Sequence, residues 1–245
     1  MMKAWFVVYG FVTLACYLIV SPAHADPVRY DVSFDATWST ATHPAAYPAG
    51  AHFSPLVGAA HNGGVSFWRL GGSATPGIEQ MAELGSRSTL RSEFQTAIAA
   101  GTARSEILDS GIGSPGNTTT SFETTSAYPL VTLVTMIAPS PDWFVGVTGL
   151  DLRSGNVWRQ EVVVDLFAYD AGTDSGLNFN SSNSDTNPRE PISLLGTPFV
   201  STPPLGTFKF TLVSIPEPSS WLLAAICAVI GIAGMLRSRR VTSPR

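Results

Sequence analysis

Polar and apolar residues alternate along much of the middle of the chain, and this alternation predicts β-strands. In residues 29–38 (RYDVSFDATW), Tyr30, Val32, Phe34 and Ala36 fall on one face of an extended strand. Residues 207–215 (TFKFTLVSI) repeat the pattern. The other predicted strands are Val65–Leu70, Ser121–Thr125, Leu130–Ala138, Trp143–Val147 and Glu161–Ala168.

One segment instead has helical spacing. Apolar residues in Gly77–Ala100 recur every three or four positions, and Gly85 is predicted to divide the segment into two short helices. Ser86 or Ser88 is predicted to cap the second helix, and Gly101 to end it.

Two polar segments, Asp109–Thr120 and Asn178–Glu190, are predicted to be surface loops. Short strands with one helical insertion predict a mainly β domain, an antiparallel β-sandwich with a short helical insertion. The pattern itself does not distinguish a sandwich from a barrel.

The first residues have the features of a secretory signal peptide. Lys3 precedes an apolar run from Trp5 to Val20, and Ala23-His24-Ala25 has the small-x-small pattern of a cleavage site. We therefore expect residues 1–25 to be removed after Ala25. The alternative is an uncleaved N-terminal anchor.

The last residues predict a membrane segment. An apolar run from Trp221 to Leu236 precedes Arg237, Arg239 and Arg240, so a transmembrane helix is expected at about residues 219–236, with a basic tail over residues 237–245. A buried core helix is the alternative. Together the two ends predict that the domain spanning residues 26–215 is exported.

Charge and cysteine content exclude several classes of function. All 18 acidic residues lie between Asp26 and Glu217, so this exported part has a net charge of −9. Such a surface repels nucleic acid and favours cations. Both cysteines, Cys16 and Cys227, lie in the apolar ends, which excludes disulfides and thiol catalysis in the domain itself.

Three histidines are candidates for catalysis or for zinc binding. His43, His52 and His61 are evenly spaced, nine residues apart, but this is not a metal-ligand spacing on one element, because the glycines and prolines between them break any regular periodicity. They are either polar loop residues or, if folding brings them together, a zinc triad. Motifs of the H-E-x-x-H or G-x-S-x-G type are absent from the sequence, so no hydrolase is indicated.

Three aspartates form a better candidate site. Asp170 and Asp174 lie in DAGTDSG, whose glycines allow a tight turn, and Asp142 follows two prolines in APSPDW. Calcium prefers such oxygen ligands. The spacing is not that of an EF-hand, because the twelfth position is Ser181 and not Glu. The alternative for these aspartates is ordinary turn formation.

Several motifs in order resemble the spondin N-terminal domain, the module of F-spondin and mindin. They are WSTATHPAAYPAGAHFSPLVGAAHN (38–62), MAELG (81–85), SPDWFVGVTGLDL (140–152) and DLFAYDAGTDSG (165–176). The resemblance covers residues 29–215. It implies a C2-like antiparallel β-sandwich and a Ca²⁺ ion held by Asp142, Asp170 and Asp174. Animal members bind matrix components and cell-surface receptors, whereas this chain lacks their cysteines and their thrombospondin-type repeats.

The C-terminal residues resemble a PEP-CTERM sorting signal. Pro216, Glu217 and Pro218 precede the apolar run and the cluster Arg237, Arg239 and Arg240. The resemblance implies processing by an exosortase in a Gram-negative bacterium, and many such proteins accompany exopolysaccharide production.

These features together predict a non-enzymatic, calcium-binding adhesion or extracellular-matrix interaction domain. It would be anchored by its C-terminal helix before processing and then reach the cell surface or biofilm matrix. The expected ligand is a polysaccharide or a protein. One alternative is an enzyme that acts on matrix polysaccharide or lipid through His43, His52 and His61. Another is a passive component that associates only with its own kind.

Overall fold

A computed structural model of the chain describes residues 27–200 and 202–214. The longer strands are β1 (Val28–Ala36), β3 (Val57–His61), β4 (Ala103–Leu108), β6 (Gly116–Thr124), β7 (Leu130–Ala138), β8 (Trp143–Asp151), β11 (Glu161–Leu166) and β14 (Gly206–Ser214). The two-residue strands are β2 (His52–Phe53), β5 (Ile112–Gly113), β9 (Arg153–Ser154), β10 (Val157–Trp158), β12 (Tyr169–Asp170) and β13 (Ser193–Leu194). The helices are α1 (Pro76–Leu84) and α2 (Ser88–Ala99).

The strands form two main antiparallel sheets. The first has the order β11-β14-β1-β6, and β1 lies inside it because β14 and β6 pair with its two edges. The second has the path β13-β12-β8-β7-β2-β5, with β3 bridging β7 and β4. β9 and β10 form a separate hairpin. The prediction of a mainly antiparallel β fold with two short helices is confirmed.

The second sheet is covered on both of its faces. One face packs on the first sheet, where Phe34, Phe53 and Phe208 meet within one apolar core. The other face packs on the two helices through residues such as Met81 and Phe94. Strand β7 contributes to both cores, which explains why it is an almost continuous apolar run and not an alternating one.

Helix α1 is capped at both ends. The Thr75 hydroxyl accepts a hydrogen bond from the Ile78 backbone N–H at 3.2 Å, and Gly85 ends the helix with φ of 63°. The predicted cap of α2 is wrong: Arg87 occupies the N-cap position without a side-chain hydrogen bond. The Ser86 hydroxyl instead lies 3.2 Å from that of Ser88.

Two predicted elements are also wrong. Residues 65–70 form a loop and not a strand, because Phe67 and Trp68 turn into the core beneath the helices. Residues 109–120 were expected to be a loop, yet they contain β5 and the first half of β6. The inward Thr118 and Thr120 hydroxyls of β6 are satisfied by Asp109 Oδ2 at 2.7 Å and by the Leu108 carbonyl at 3.1 Å, so a polar strand is tolerated at this edge.

The chain enters and leaves the sandwich at the same end. Arg29 pairs with Ser214 at that end, and Ala36 pairs with Gly206 at the other. The predicted signal peptide, the sorting motif and the helix at about residues 219–236 lie outside the described residues. Within residues 27–200 and 202–214, neither helix has the length and apolar character needed to cross a membrane.

Candidate metal centre

The predicted aspartates lie at the end of the sandwich opposite the described chain termini. Asp142 immediately precedes β8, and Asp170 ends β12, where it pairs with Trp143. Trp143 packs on Phe179 and Phe199, and both of these rings also pack on Trp38, just beyond the end of β1. This aromatic cluster fills the end of the sandwich and holds the first residue of β8, which directly follows Asp142.

Asp142 is completely buried, at 0% exposure. Its Oδ2 accepts hydrogen bonds from the backbone N–H groups of Thr173 (2.8 Å) and Asp174 (3.1 Å), and from the Thr173 hydroxyl (3.3 Å). Its Oδ1 is also buried, and among the described residues no group donates a hydrogen bond to it. A buried carboxylate oxygen without a partner is costly, so this atom is a candidate ligand for a cation.

The carboxyl of Asp170 makes ionisation of Asp142 more costly. Burial, followed by the negative charge of Asp170, raises the pKa of Asp142 to about 6, although its hydrogen bonds act in the opposite direction. Burial also raises the pKa of Asp170, as do the charges of Glu190 and Asp174, while the Gly172 N–H bond and a side-chain hydrogen bond with Asp142 lower it. A buried carboxyl and a half-buried neighbouring carboxyl, both with raised pKa values, form a site that a cation would stabilise.

Asp174 lies close by, but its side chain has other partners. Its Oδ1 accepts from the Gly176 N–H at 2.6 Å, and its Oδ2 accepts from the Ser184 N–H at 2.9 Å. Across residues 27–200 and 202–214, no three histidine, cysteine, aspartate or glutamate side chains are arranged so that they could hold a metal ion. The structure therefore brings Asp142 and Asp170 together and turns the carboxylate of Asp174 toward the loop at Ser184.

The tight turn in DAGTDSG depends on Gly172. Its φ of 71° lies in the left-handed region, and a Cβ atom there would clash with the Glu190 carbonyl. The Gly172 N–H donates to Asp170 Oδ1 at 2.7 Å, so the same turn orients the aspartate. The predicted role of this glycine in the turn is confirmed.

A cleft of about 580 Å³ adjoins Asp174. Its acidic lining residues are Glu79, Glu83, Asp174 and Asp185. Burial raises the pKa of Glu83; the Thr173 side chain lowers it, and the charges of Glu79, Asp174 and Asp185 raise it further. Sequence reasoning missed Glu79 and Glu83, although their spacing of four residues on a predicted helix places them on one face. Asp185 lies in a polar loop that carries no such signal.

The three candidate histidines are not brought together. His52 pairs with Ala138 and His61 with Leu130, at opposite ends of β7 and therefore about 26 Å apart along the strand. His43 is buried, with Nε2 3.0 Å from the Pro203 carbonyl. The buried His61 lies 2.9 Å from the Thr132 hydroxyl, whereas His52 is exposed. A shared zinc site of the three is excluded by this placement.

Comparison with known proteins agrees with the order of motifs. The family model Spondin_N matches residues 28–212. Human Spondin-2 is 36% identical over 199 residues, which cover 77% of this chain and 58% of that protein. Rat Spondin-1 is 34% identical over 171 residues, which cover 67% of this chain and 21% of that protein. Human Spondin-1 is 36% identical over 173 residues, which also cover 67% of this chain and 21% of that protein. The chain thus spans little more than half of Spondin-2 and about a fifth of Spondin-1. Because the family model matches most of the chain, this chain belongs to the spondin N-terminal domain family.

Proposed function

We propose that this chain is an exported adhesion or matrix-interaction protein whose sandwich binds one Ca²⁺ ion. Asp142 and Asp170 would hold the ion, and Asp174 would supply the third carboxylate by giving up its contact with Ser184. Calcium favours carboxylate and carbonyl oxygens in irregular loop sites, which suits these residues. Bound calcium would tie the loop before β8 to the loop after β12.

The observation that carries this proposal is the buried, unpartnered Oδ1 of Asp142 beside the carboxyl of Asp170. Hydrogen bonds reach Oδ2 of Asp142 and Oδ1 of Asp170 but not Oδ1 of Asp142, so the negative charge at that atom is left without a donor among the described residues. A divalent cation would neutralise both carboxylates. The loops that carry them would then form a rigid surface suited to binding a ligand.

The position of the site also suits an exported, anchored protein. The described chain begins and ends at one end of the sandwich, and the acidic loops lie at the other. If Pro216, Glu217 and Pro218 mark an exosortase signal and a helix at about residues 219–236 enters the membrane, the acidic loops face away from the anchor. A polysaccharide or a protein of the surrounding matrix could then reach them before and after processing.

Calcium binding is tested by thermal unfolding of the full chain, purified in detergent because of its apolar ends. Adding CaCl₂ after removal of metal with EDTA is expected to raise the Tm of the parent chain, because an ion that binds only the folded state stabilises it. Asp170→Asn is expected to remove the rise. A parent chain whose Tm is unchanged by calcium would disprove the metal proposal.

Matrix association is tested separately in cells that produce the chain. The parent chain is expected to remain with the extracellular matrix fraction in calcium and to be released by EGTA. The Asp170→Asn chain should be released under both conditions. Equal retention of both chains in calcium and EGTA would contradict a calcium-dependent adhesion surface.

A further inference from the structure

Glu83 is an acidic residue in an unfavourable position. It lies in the last turn of α1, which contains no basic residue, although the negative end of the helix dipole disfavours a carboxylate there. The side chain is half-buried, and its Oε1 is a buried atom with no hydrogen-bond partner in the part of the chain that the structure describes. The helix itself therefore gains nothing from a negative charge at this position.

The neighbouring Glu79 shows the contrast. It lies one turn earlier and lines the same cleft, but its Oε1 accepts a hydrogen bond from the Arg189 guanidinium at 2.5 Å. Within residues 27–200 and 202–214 Glu83 pairs with no cation, and the charges of Glu79, Asp174 and Asp185 raise its pKa. The charge of Glu79 is therefore compensated by Arg189, whereas the charge of Glu83 is not compensated by a described cation.

Thr173 links Glu83 to the candidate metal centre. The Thr173 hydroxyl is near enough to the Glu83 carboxyl to donate to it, so its single proton can serve either Glu83 or Asp142. The same residue donates its backbone N–H (2.8 Å) and its hydroxyl (3.3 Å) to Asp142 Oδ2. A single residue thus lies between the helix carboxylate and the most deeply buried aspartate of the site.

We propose that Glu83 is a positioning residue of the cation site, which approaches Thr173 from helix α1 and adds negative charge beside Asp174. This inference rests on the proposed calcium function. Cation binding compensates the buried charge of Glu83, and Glu83 in turn increases cation affinity. Helix α1 is thereby coupled to the loop that carries Asp174.

The test is calorimetric titration of the detergent-purified full chain with CaCl₂, together with thermal unfolding in EDTA. Glu83→Gln keeps the side-chain shape and removes the charge, so it is expected to weaken calcium binding about tenfold. Its Tm in EDTA is expected to be equal to or above that of the parent, since a buried unpartnered charge is gone. Glu83→Asp, which keeps the charge, is expected to restore most of the affinity.

Glu79→Gln is the matched control, because it removes one negative charge from the same cleft and leaves Glu83 intact. Its calcium affinity is expected to stay within about twofold of the parent value. If Glu83→Gln and Glu79→Gln weaken binding equally, or if Glu83→Gln lowers only the Tm in EDTA, the positioning role is wrong while calcium binding stands. If the parent chain binds no calcium, the proposed function fails and this inference fails with it.

Discussion

Thr173 donates its backbone N–H to Oδ2 of Asp142 at 2.8 Å, joining two loops that are far apart in sequence. The Asp174 N–H makes a second bond to the same oxygen, at 3.1 Å. These bonds hold the turn of DAGTDSG against the start of β8 independently of any cation. The two loops are thus partly organised in advance, and cation binding has less ordering cost to overcome.

Removing the Thr173 hydroxyl should weaken this connection. Thr173→Val keeps the side-chain shape and the backbone bond but deletes the donor to Asp142. We expect a loss of about 1 kcal/mol in unfolding free energy and a smaller calcium-induced rise in Tm. Urea unfolding with and without calcium measures both quantities.

Thr135→Val is the control for this substitution. Thr135 is equally buried and donates its hydroxyl to the Ser54 carbonyl at 2.6 Å, away from the aspartates. It should lose a similar amount of stability and keep the full response to calcium. An unchanged calcium response in Thr173→Val as well would show that the hydroxyl has no part in the site.

Asp142 predicts a dependence of stability on pH in the absence of metal. Its folded-state pKa of about 6 lies above the ordinary value of 3.8, so the folded state holds this proton more tightly than the unfolded state. The stability that the proton provides is present below about pH 4 and is lost as pH rises through 6, by on the order of 3 kcal/mol.

Asp142→Asn removes this titration and places a neutral amide beside Asp170. In EDTA at pH 7.5, we expect the variant to unfold at a higher temperature than the parent, and the difference to shrink toward pH 4. In calcium the order should reverse, because the variant loses a ligand. A parent whose Tm in EDTA does not fall relative to the variant between pH 4 and 7.5 would contradict the raised pKa.

For the buried His61 we expect the opposite dependence of folding stability on pH. Burial lowers its pKa, and its ring nitrogens lie 2.9 Å from the Asn62 carbonyl and 2.9 Å from the Thr132 hydroxyl. A neutral ring suits these partners if Nδ1 donates to the carbonyl and Nε2 accepts from the hydroxyl. Its contribution to stability is present above the unfolded pKa of about 6.5 and is lost as pH falls below it.

The contribution of His61 is best measured in the Asp142→Asn background, where the opposing titration of Asp142 is absent. The free energy of unfolding should fall between pH 7 and 5, with a slope of up to about 1.4 kcal/mol per pH unit. Adding His61→Gln should flatten that slope. An unchanged slope would assign the acid sensitivity to another group.

The long alternating strands could be predicted from the sequence because their periodicity reports a single buried face. β1 and β14 alternate in this way, and β7 is apolar enough to be predicted although both of its faces are buried. Strand β3 (VGAAH) was missed because its small residues carry no β-propensity signal. Gly58 is required there by close contact with Thr132 on β7, which only the folded structure shows.

Part of the candidate site could also be predicted from local sequence patterns. Asp142 and Asp170 lie in motifs whose prolines and glycines indicate turns, so their role could be proposed from local sequence. The partners of Asp174 and the position of Glu83 depend on how α1 and the loop near Ser184 pack, which local sequence does not encode. Likewise, Phe67 was assigned to a strand because an apolar run does not tell whether its residues lie in a sheet or fold into a core.

The turn at Gly172 gives a prediction that separates backbone strain from steric clash. Gly172→Ala would place an L side chain at φ of 71° and drive its Cβ into the Glu190 carbonyl. Gly101→Ala has the same φ of 71°, but a Cβ there meets nothing within 4 Å. The free energy of unfolding of the Gly101 variant should therefore fall only by the cost of the left-handed conformation, about 1–2 kcal/mol. The Gly172 variant should lose more stability than that and should also lose its calcium response, because its N–H orients Asp170.

Urea unfolding and calcium titration of both variants provide the measurement. Equal losses of stability in the two variants would show that the contact with Glu190 does not constrain the turn.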